Sequence, residues 1–457
     1  MTSYECVKTL SMPLPEDILK RKWGGDIDGA IRAIDLRLAT ALPEALRMRL
    51  TVEKERLRRL PTQYPYNRAQ ALEKLKELLP GATEALFDQL ELQGLLDYLY
   101  LNGEKRYFVR AMRSAAQLPA VRAMVGGKAN PSSPYLDPML AEIRQKGELA
   151  RKITLELHVS VDEDAFVPGT YRAWVPFPIP CAQQREIRLL AGDPDILAPE
   201  DAPARTAYWE RECAKKADFS LRCSYVSRIR FADPLHISAP TVPLYPDARP
   251  VSPEDLAEDG TYLRFTPYLR SLAEEICRGA ATPVEKAWRC YEFVTTKVTY
   301  TFMRDYFQID DLGEYCAVNL KGDCGLQALL FILLCRISGI PARWQSGLDI
   351  SEKYVGSHDW AQFYLEGWGW LFADPSFGGS AWRNGSQERH AFYFGNLDPM
   401  RMAANRAFMA DLTPPMQGFR VDPYDNQSGE IERIGAELAF TGRQTGGDQL
   451  LISVENA

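Results

Sequence analysis

The run LQALLFILLC at 326–335 is interrupted by a single polar residue, Gln327. A segment this apolar must be covered by protein, so its position sets the centre of a buried core. The punctuation around it predicts a helix. Asp323 is placed to cap the start, and Gly339 and Pro341 stop the run after Ser338. Cys324 then lies in the first turn, where unpaired N–H groups and the positive end of the helix dipole favour an anion, here a thiolate. A thiol used as a nucleophile also needs a base held in a fixed orientation. The rest of the chain has to be searched for one.

The chain has 457 residues, enough for about three domains. Its 46% hydrophobic and 25% charged content is that of an ordinary globular protein. A net charge of −7 argues against a general nucleic-acid binder. Charge is uneven. Residues 1–126 hold 20 Lys and Arg against 16 Asp and Glu, a local +4 that leaves −11 for the remainder. That asymmetry reads first as a solvated helical surface and second as a place to dock a protein partner. The N-terminus lacks the apolar core of a signal peptide, and no stretch is long and apolar enough to cross a membrane. The nine cysteines form no CxxC pair and no regular spacing, so neither a disulfide framework nor a cysteine-rich metal site is expected. A reducing, cytoplasmic setting is expected instead.

Hydrophobic periodicity divides the chain. Residues 14–126 carry apolar positions at i, i+3, i+4 spacing and predict helices, the pattern running on through LFDQLELQGLLDYLYLNGEKRYFVRAMRSAAQL with a turn at Gly103. VGGKANPSSPYLDP (125–138) reads as a linker. The alternating runs KITLELHVSV and LRCSYVSRIRF, with TYRAWVPFPIP between them, predict a β-rich, sandwich-like middle domain. The proline-studded segment 238–260 closes it. Helical spacing then returns, including TPVEKAWRCYEFVTTKV with Thr282 as N-cap, Pro283 at the first helical position and Glu285 completing a capping box. Strands are predicted over 342–350, 358–367 and 370–377. The expectation is an α+β multidomain chain: a helical domain over 1–130, a β-rich domain over 148–245, a catalytic domain over 255–430 and a C-terminal segment over 431–457.

Of the four histidines, His158 lies mid-strand and His236 in a proline-rich loop, both ordinary settings, as is the common reading of helical Cys277, Cys290 and Cys335 as small core residues. His358 opens a predicted strand after the loop SEKYVGS, and Asp374 ends the next one. With GWG at 367–369 as the turn, His358 faces residue 378 and Asp374 faces residue 362, four residues along, so a bulge or a longer turn is needed to join them.

Three segments, KGDCGLQALLFILLCRISGIPARWQSG, SHDWAQFYLEGWGWLFADPSFG and TPVEKAWRCYEFVTTKVTY, together resemble the transglutaminase-like superfamily of papain-type cysteine enzymes. The resemblance covers residues 261–400, under a third of the chain. It rests on the order Cys, aliphatic-Pro-Ala-Arg, His-x-Trp, then Trp-x-x-x-Asp-Pro. It implies a papain-like C-terminal domain in which Cys324 is the nucleophile, His358 its base and Asp374 the group that orients the imidazole. It further implies an imidazolium–thiolate pair and an acyl-thioester intermediate. The backbone N–H of Cys324 is one candidate oxyanion donor, Gln308 or Tyr300 a second, and Trp344 and Trp360 are candidate walls of an acceptor slot. No EF-hand loop and no zinc-binding cysteine pairs accompany the motif, so no cofactor or metal is expected. WVPFPIP ahead of this domain looks like the architecture of bacterial transglutaminase-like proteins. The expected activity is hydrolysis of a peptide or protein amide. The alternatives are acyl transfer to an amine and a non-catalytic scaffold, with the N-terminal helices as a possible partner-binding module.

Overall fold

The computed structural model describes residues 5, 7–351, 354–421, 424–435, 444–446 and 449–457. The N-terminal region forms helices α1 (Glu16–Trp23), α2 (Ile27–Leu38), α3 (Glu44–Gln63), α4 (Arg68–Leu78) and α5 (Glu84–Leu92). A hairpin follows, β1 (Tyr98–Leu101) and β2 (Glu104–Tyr107), then α6 (Ala111–Gln117), α7 (Pro119–Ala123) and α8 (Leu136–Lys146). The hairpin departs from the helical expectation for this stretch. Leu101 pairs with Glu104 across Asn102–Gly103, both with positive φ, which is the two-residue turn that matches strand twist. Side chains such as Leu57, Tyr64, Leu75, Phe87 and Tyr107 give this region its own core.

Helix α3 faces two ways. Leu50, Leu57 and Leu60 enter the helical core, while Arg49, Glu53, Glu55, Arg56, Arg59 and Gln63 are buried as well, largely against the rest of the chain. Glu53 takes Lys22, Arg49 and Arg56 at 2.8, 2.8 and 2.7 Å. Arg56 reaches across to Asp310 at 2.7 Å, and Arg59 donates to the carbonyls of Arg420 and Val421 at 2.7 and 3.1 Å. Gln63 and Asp305 exchange two hydrogen bonds of 2.8 and 3.0 Å.

The middle domain is a sandwich of two antiparallel sheets built from β3 (Glu148–Val161), β4 (Gly169–Pro176), β5 (Gln184–Ala191), β6 (Ile196–Leu197), β7 (Thr206–Cys213) and β8 (Asp218–Arg230). Alternation places Leu155, Leu157, Leu221 and Cys223 of one sheet, and Tyr171, Ala173, Ala207 and Trp209 of the other, in a common core.

The last domain contains α9 (Pro267–Cys277), α10 (Pro283–Lys297), β9 (Thr299–Tyr300), α11 (Leu312–Asn319), β10 (Lys321–Gly322) and α12 (Cys324–Ile337). The capping box of α10 forms as its sequence predicts. Next come β11 (Ala342–Ser351), β12 (Tyr354–Leu365), β13 (Gly369–Ala373), α13 (Pro375–Arg383), α14 (Gln387–Phe392), β14 (Phe394–Gly395) and β15 (Arg401–Asn405). These strands make an antiparallel sheet in the order β14-β13-β12-β11-β15. Helix α12 packs on β11 and β12 on one side and on α9, α10, α11 and α13 on the others. Every residue from Gly325 to Cys335 is buried, so the helix is covered around its whole circumference and not along one stripe.

The C-terminal segment returns to the sandwich. Strands β16 (Glu430–Arg433), β17 (Gln444–Gly446) and β18 (Leu450–Asn456) pair with β4, β3 and β3. The expected division at residue 431 is therefore crossed by the chain, and the middle and last domains share a continuous core.

Removing Glu53 would leave Arg49 and Arg56 buried without their shared anion. Glu53→Ala is expected to destabilise the protein by about 3–5 kcal/mol, read as a fall in Tm. The charges of Arg56, Lys22 and Arg49 outweigh burial and hold the Glu53 carboxyl far below its ordinary 4.5. Its contribution is therefore complete above that value and lost as the pH falls below it. The wild type should lose Tm on acidification more steeply than Glu53→Gln.

Candidate active site

The start of α12 is built by its neighbours. β10 pairs in parallel with β9, placing Gly322 beside Tyr300. Asp323 caps the helix through Leu326 N–H and also receives the Tyr306 hydroxyl. Tyr306 lies so close over Gly325 that a Cβ there would stand 2.1 Å from its hydroxyl oxygen. Glycine is what allows that ring to cover the first turn. Cys324, at the first helical position, opens into a cavity of 1450 Å3 that is also lined by Tyr300, His358, Asp359 and Gln427.

His358 sits within β12, not at its start, because the strand begins at Tyr354. Asp374 is not the end of a strand either. It follows β13 and caps α13, its Oδ1 accepting from Phe377 N–H at 2.9 Å with Pro375 at the first helical position. The hairpin between β12 and β13 pairs Leu365 with Gly369 and Ala361 with Ala373 without a register shift. Extended by one pair, Asp374 lies opposite Trp360, so His358 is its diagonal neighbour on the same face of the sheet. No bulge is needed. His358 Nε2 and Asp374 Oδ2 are 2.7 Å apart.

Asp374 is fully buried. Burial alone would raise its pKa, but His358 and Arg401 outweigh that and hold the carboxyl below the ordinary carboxylate value. Arg401 lies 3.3 Å from Asp374 and 2.8 Å from Asp398, with its guanidinium over the Phe377 ring at 4.1 Å. Phe377 also packs on the His358 ring at 5.0 Å. With Nε2 engaged by Asp374, Nδ1 is the ring nitrogen left to exchange a proton.

Cys324 is held differently from the sequence expectation of a thiolate. Its Sγ donates to Asp359 Oδ2 at 3.2 Å. Burial, then the carboxylates of Asp359 and Asp323, push the thiol well above its ordinary value. Asp359 is fixed in turn by Gln427, whose amide donates to Asp359 Oδ1 at 2.6 Å and to the His358 carbonyl at 2.9 Å.

Tyr300 shares the cavity, and burial together with nearby negative charge keeps its hydroxyl protonated. Gln308 does not reach the cavity: its amide donates to the Arg56 carbonyl at 2.7 Å and ties the preceding loop to α3. Trp344 packs against Phe408, and Trp360 is fully buried with its indole N–H on Gln345 at 2.8 Å, so neither walls a slot. Both tryptophans point from their strands into the core. Asp359, Gln427, Tyr306 and Arg401 were not singled out from sequence. The first directly follows His358, but the others lie far from the motif in the chain. Among the described residues no group of three His, Cys, Asp or Glu side chains is placed to hold a metal ion, and no helix is long and apolar enough to cross a membrane.

Replacing Asp359 by Asn removes the negative charge beside Sγ and stabilises the thiolate relative to the thiol. The midpoint of the pH dependence of Cys324 alkylation by iodoacetamide is expected to fall by about one unit or more in Asp359→Asn. A midpoint that stays or rises would mean that Asp359 does not set the acidity of the thiol.

A family model described as the transglutaminase-like superfamily matches residues 270–375, a span that holds Cys324, His358 and Asp374. No curated protein matches the chain. Among solved structures, a candidate cysteine protease from Cytophaga hutchinsonii is 16% identical, with 68% of this chain and 90% of that one covered at a TM-score of 0.41. The periplasmic domain of TgpA from Pseudomonas aeruginosa is 15% identical, with 57% and 96% covered at a TM-score of 0.28.

Proposed function

We propose that this chain, which carries a transglutaminase-like domain over residues 270–375, is a cysteine-dependent hydrolase of peptide or protein amides. The observation that carries the reading is the 2.7 Å bond between His358 Nε2 and a buried, ionised Asp374, at the edge of the cavity into which Cys324 opens. A buried carboxylate that holds an imidazole by one nitrogen leaves the other to act as a base, and stabilises the imidazolium that results.

The thiol proton, directed at Asp359 at rest, passes to His358 Nδ1. The thiolate then attacks the amide carbonyl carbon and a C–S bond forms. The backbone N–H of Cys324 and the Tyr300 hydroxyl are the donors assigned to the oxyanion. As the C–N bond breaks, His358 returns its proton to the leaving amine and an acyl-thioester remains. Water, deprotonated by His358, attacks the thioester, releases the acid and regenerates the thiol. Asp374 keeps its charge throughout. The carboxylates of Asp323 and Asp359 beside the thiol also favour an approaching ammonium, which supports transfer to an amine as a second reading. All eight cysteines among the described residues are free thiols, which supports a reducing, cytoplasmic setting.

Intact-mass labelling with iodoacetamide between pH 6 and 9 tests the reading. A single rapid adduct is expected, absent in Cys324→Ala and about ten-fold or more slower in His358→Ala. Slow labelling spread over several cysteines and indifferent to both substitutions would return the chain to the scaffold reading.

A further inference from the structure

The cavity at Cys324 is lined by side chains of both charges. Asp323 and Asp359 stand beside the thiol, and Arg110, Arg113, Arg122 and Arg383 line the same cavity. Arg110 and Arg113 are exposed, at the start and in the first turn of α6, and come from the helical domain. Among the described residues none of these four arginines has a carboxylate partner, whereas Arg304 and Arg389, which line the same cavity, are paired with Asp97 and Asp137. Among the described residues Arg122 Nε is buried without a hydrogen-bond partner, and Arg383 donates to the Val298 carbonyl at 3.1 Å.

A chain of contacts runs from the start of α12 to two of these arginines. Tyr300, beside Gly322 at the start of α12, stacks edge-on against Phe302 with ring centroids 5.8 Å apart. The guanidinium carbons of Arg110 and Arg113 lie 5.1 and 5.2 Å from the Phe302 centroid. Phe302 is itself pinned to α6 through its N–H, which donates to Ser114 Oγ at 2.8 Å. Both guanidiniums are thus at most about 11 Å from the Tyr300 ring centre, a span of roughly three extended residues at about 3.3–3.6 Å each. Two like charges on one aromatic ring repel each other, and an anion bridging them relieves that repulsion.

We propose that these arginines receive carboxylates of an acidic peptide whose reacting amide lies at Cys324, in the same cavity as Tyr300, from which the arginines are within about three extended residues. The inference rests on the reading of the cavity as an amide-processing site and names the substrate class of that site. The carboxylates near the thiol set the polarity: a uniform polyanion such as a nucleic acid would be repelled at that end, while a peptide acidic only at its distal positions fits both sets of charges. The helical domain then supplies part of the substrate site itself.

The test uses the full-length Cys324→Ala chain, which binds without turnover. Binding of a fluorescein-labelled pool of random Gly/Ala/Gln/Glu hexapeptides is followed by anisotropy and compared with a pool in which Gln replaces every Glu. The acidic pool is expected to bind about ten-fold tighter at low salt, the preference shrinking as salt rises. The added substitutions Arg110→Gln and Arg113→Gln, at exposed positions where folding is little affected, should abolish the preference. Equal affinity for the two pools, binding of neither, or a preference that survives both substitutions overturns the proposal. Iodoacetamide labelling of the wild type reads the thiol separately. Loss of its single-site adduct would sink the hydrolase reading while the peptide preference stood or fell on its own binding data.

Discussion

Helix α12 is apolar on all sides, and this dictates what surrounds it. A helix with one apolar stripe can lie on a surface, but one buried around its circumference must be enclosed by several elements. Here the sheet at β11 and β12 covers one side and α9, α10, α11 and α13 cover the rest. Such a helix has polar groups to satisfy at its ends. Its N-terminus, with its Asp323 cap and Cys324, is therefore where the enclosing elements part to leave a cavity. The same packing places β12 and its His358 against the helix, and the turn after β13 brings Asp374 to the imidazole.

A second constraint comes from α3. Burying Arg49, Glu53, Arg56 and Arg59 carries a desolvation penalty that paired charges offset only in good geometry. What the arrangement secures is position. Arg56 and Gln63 hold the 305–310 loop, and Arg59 holds the 420–421 backbone. Both segments contribute cavity residues, Asp305 and Tyr306 from one and Val421 from the other. The helical domain is thus fastened to the walls of the site by directional bonds that apolar packing would not orient, and its α6 forms part of the cavity.

The resting thiol shows how a site can oppose its own local chemistry. A helix N-terminus favours the thiolate, whereas burial and the two adjacent carboxylates favour the thiol, and the latter prevail. In the proposed mechanism the thiolate, which is the reactive form, arises only as the proton passes to His358, so reaction with substrate or with iodoacetamide depends on that imidazole.

Local pattern was enough for the helix at 324–337, its Asp323 cap, the capping box at Thr282 and the alternating strands of the sandwich, because each depends on neighbours within a few residues. The Asn102–Gly103 hairpin was equally legible and was masked by the helical spacing on either side of it. Asp-Pro at 374–375, a cap followed by the proline favoured at a helix start, likewise carried the signal that the strand ends there. Other features could be decided only by the folded chain. The diagonal meeting of His358 and Asp374 depends on hairpin register, and the turning-away of Gln308, Trp344 and Trp360 depends on what packs behind each strand and loop. The carboxylate of Asp359 on Cys324, the Gln427 amide that fixes it and the arginines that α6 brings to the cavity join residues tens to hundreds of positions apart. Spacing along the chain carries the period of a helix or strand, but it holds no record of which distant surfaces will be pressed together when the apolar core closes.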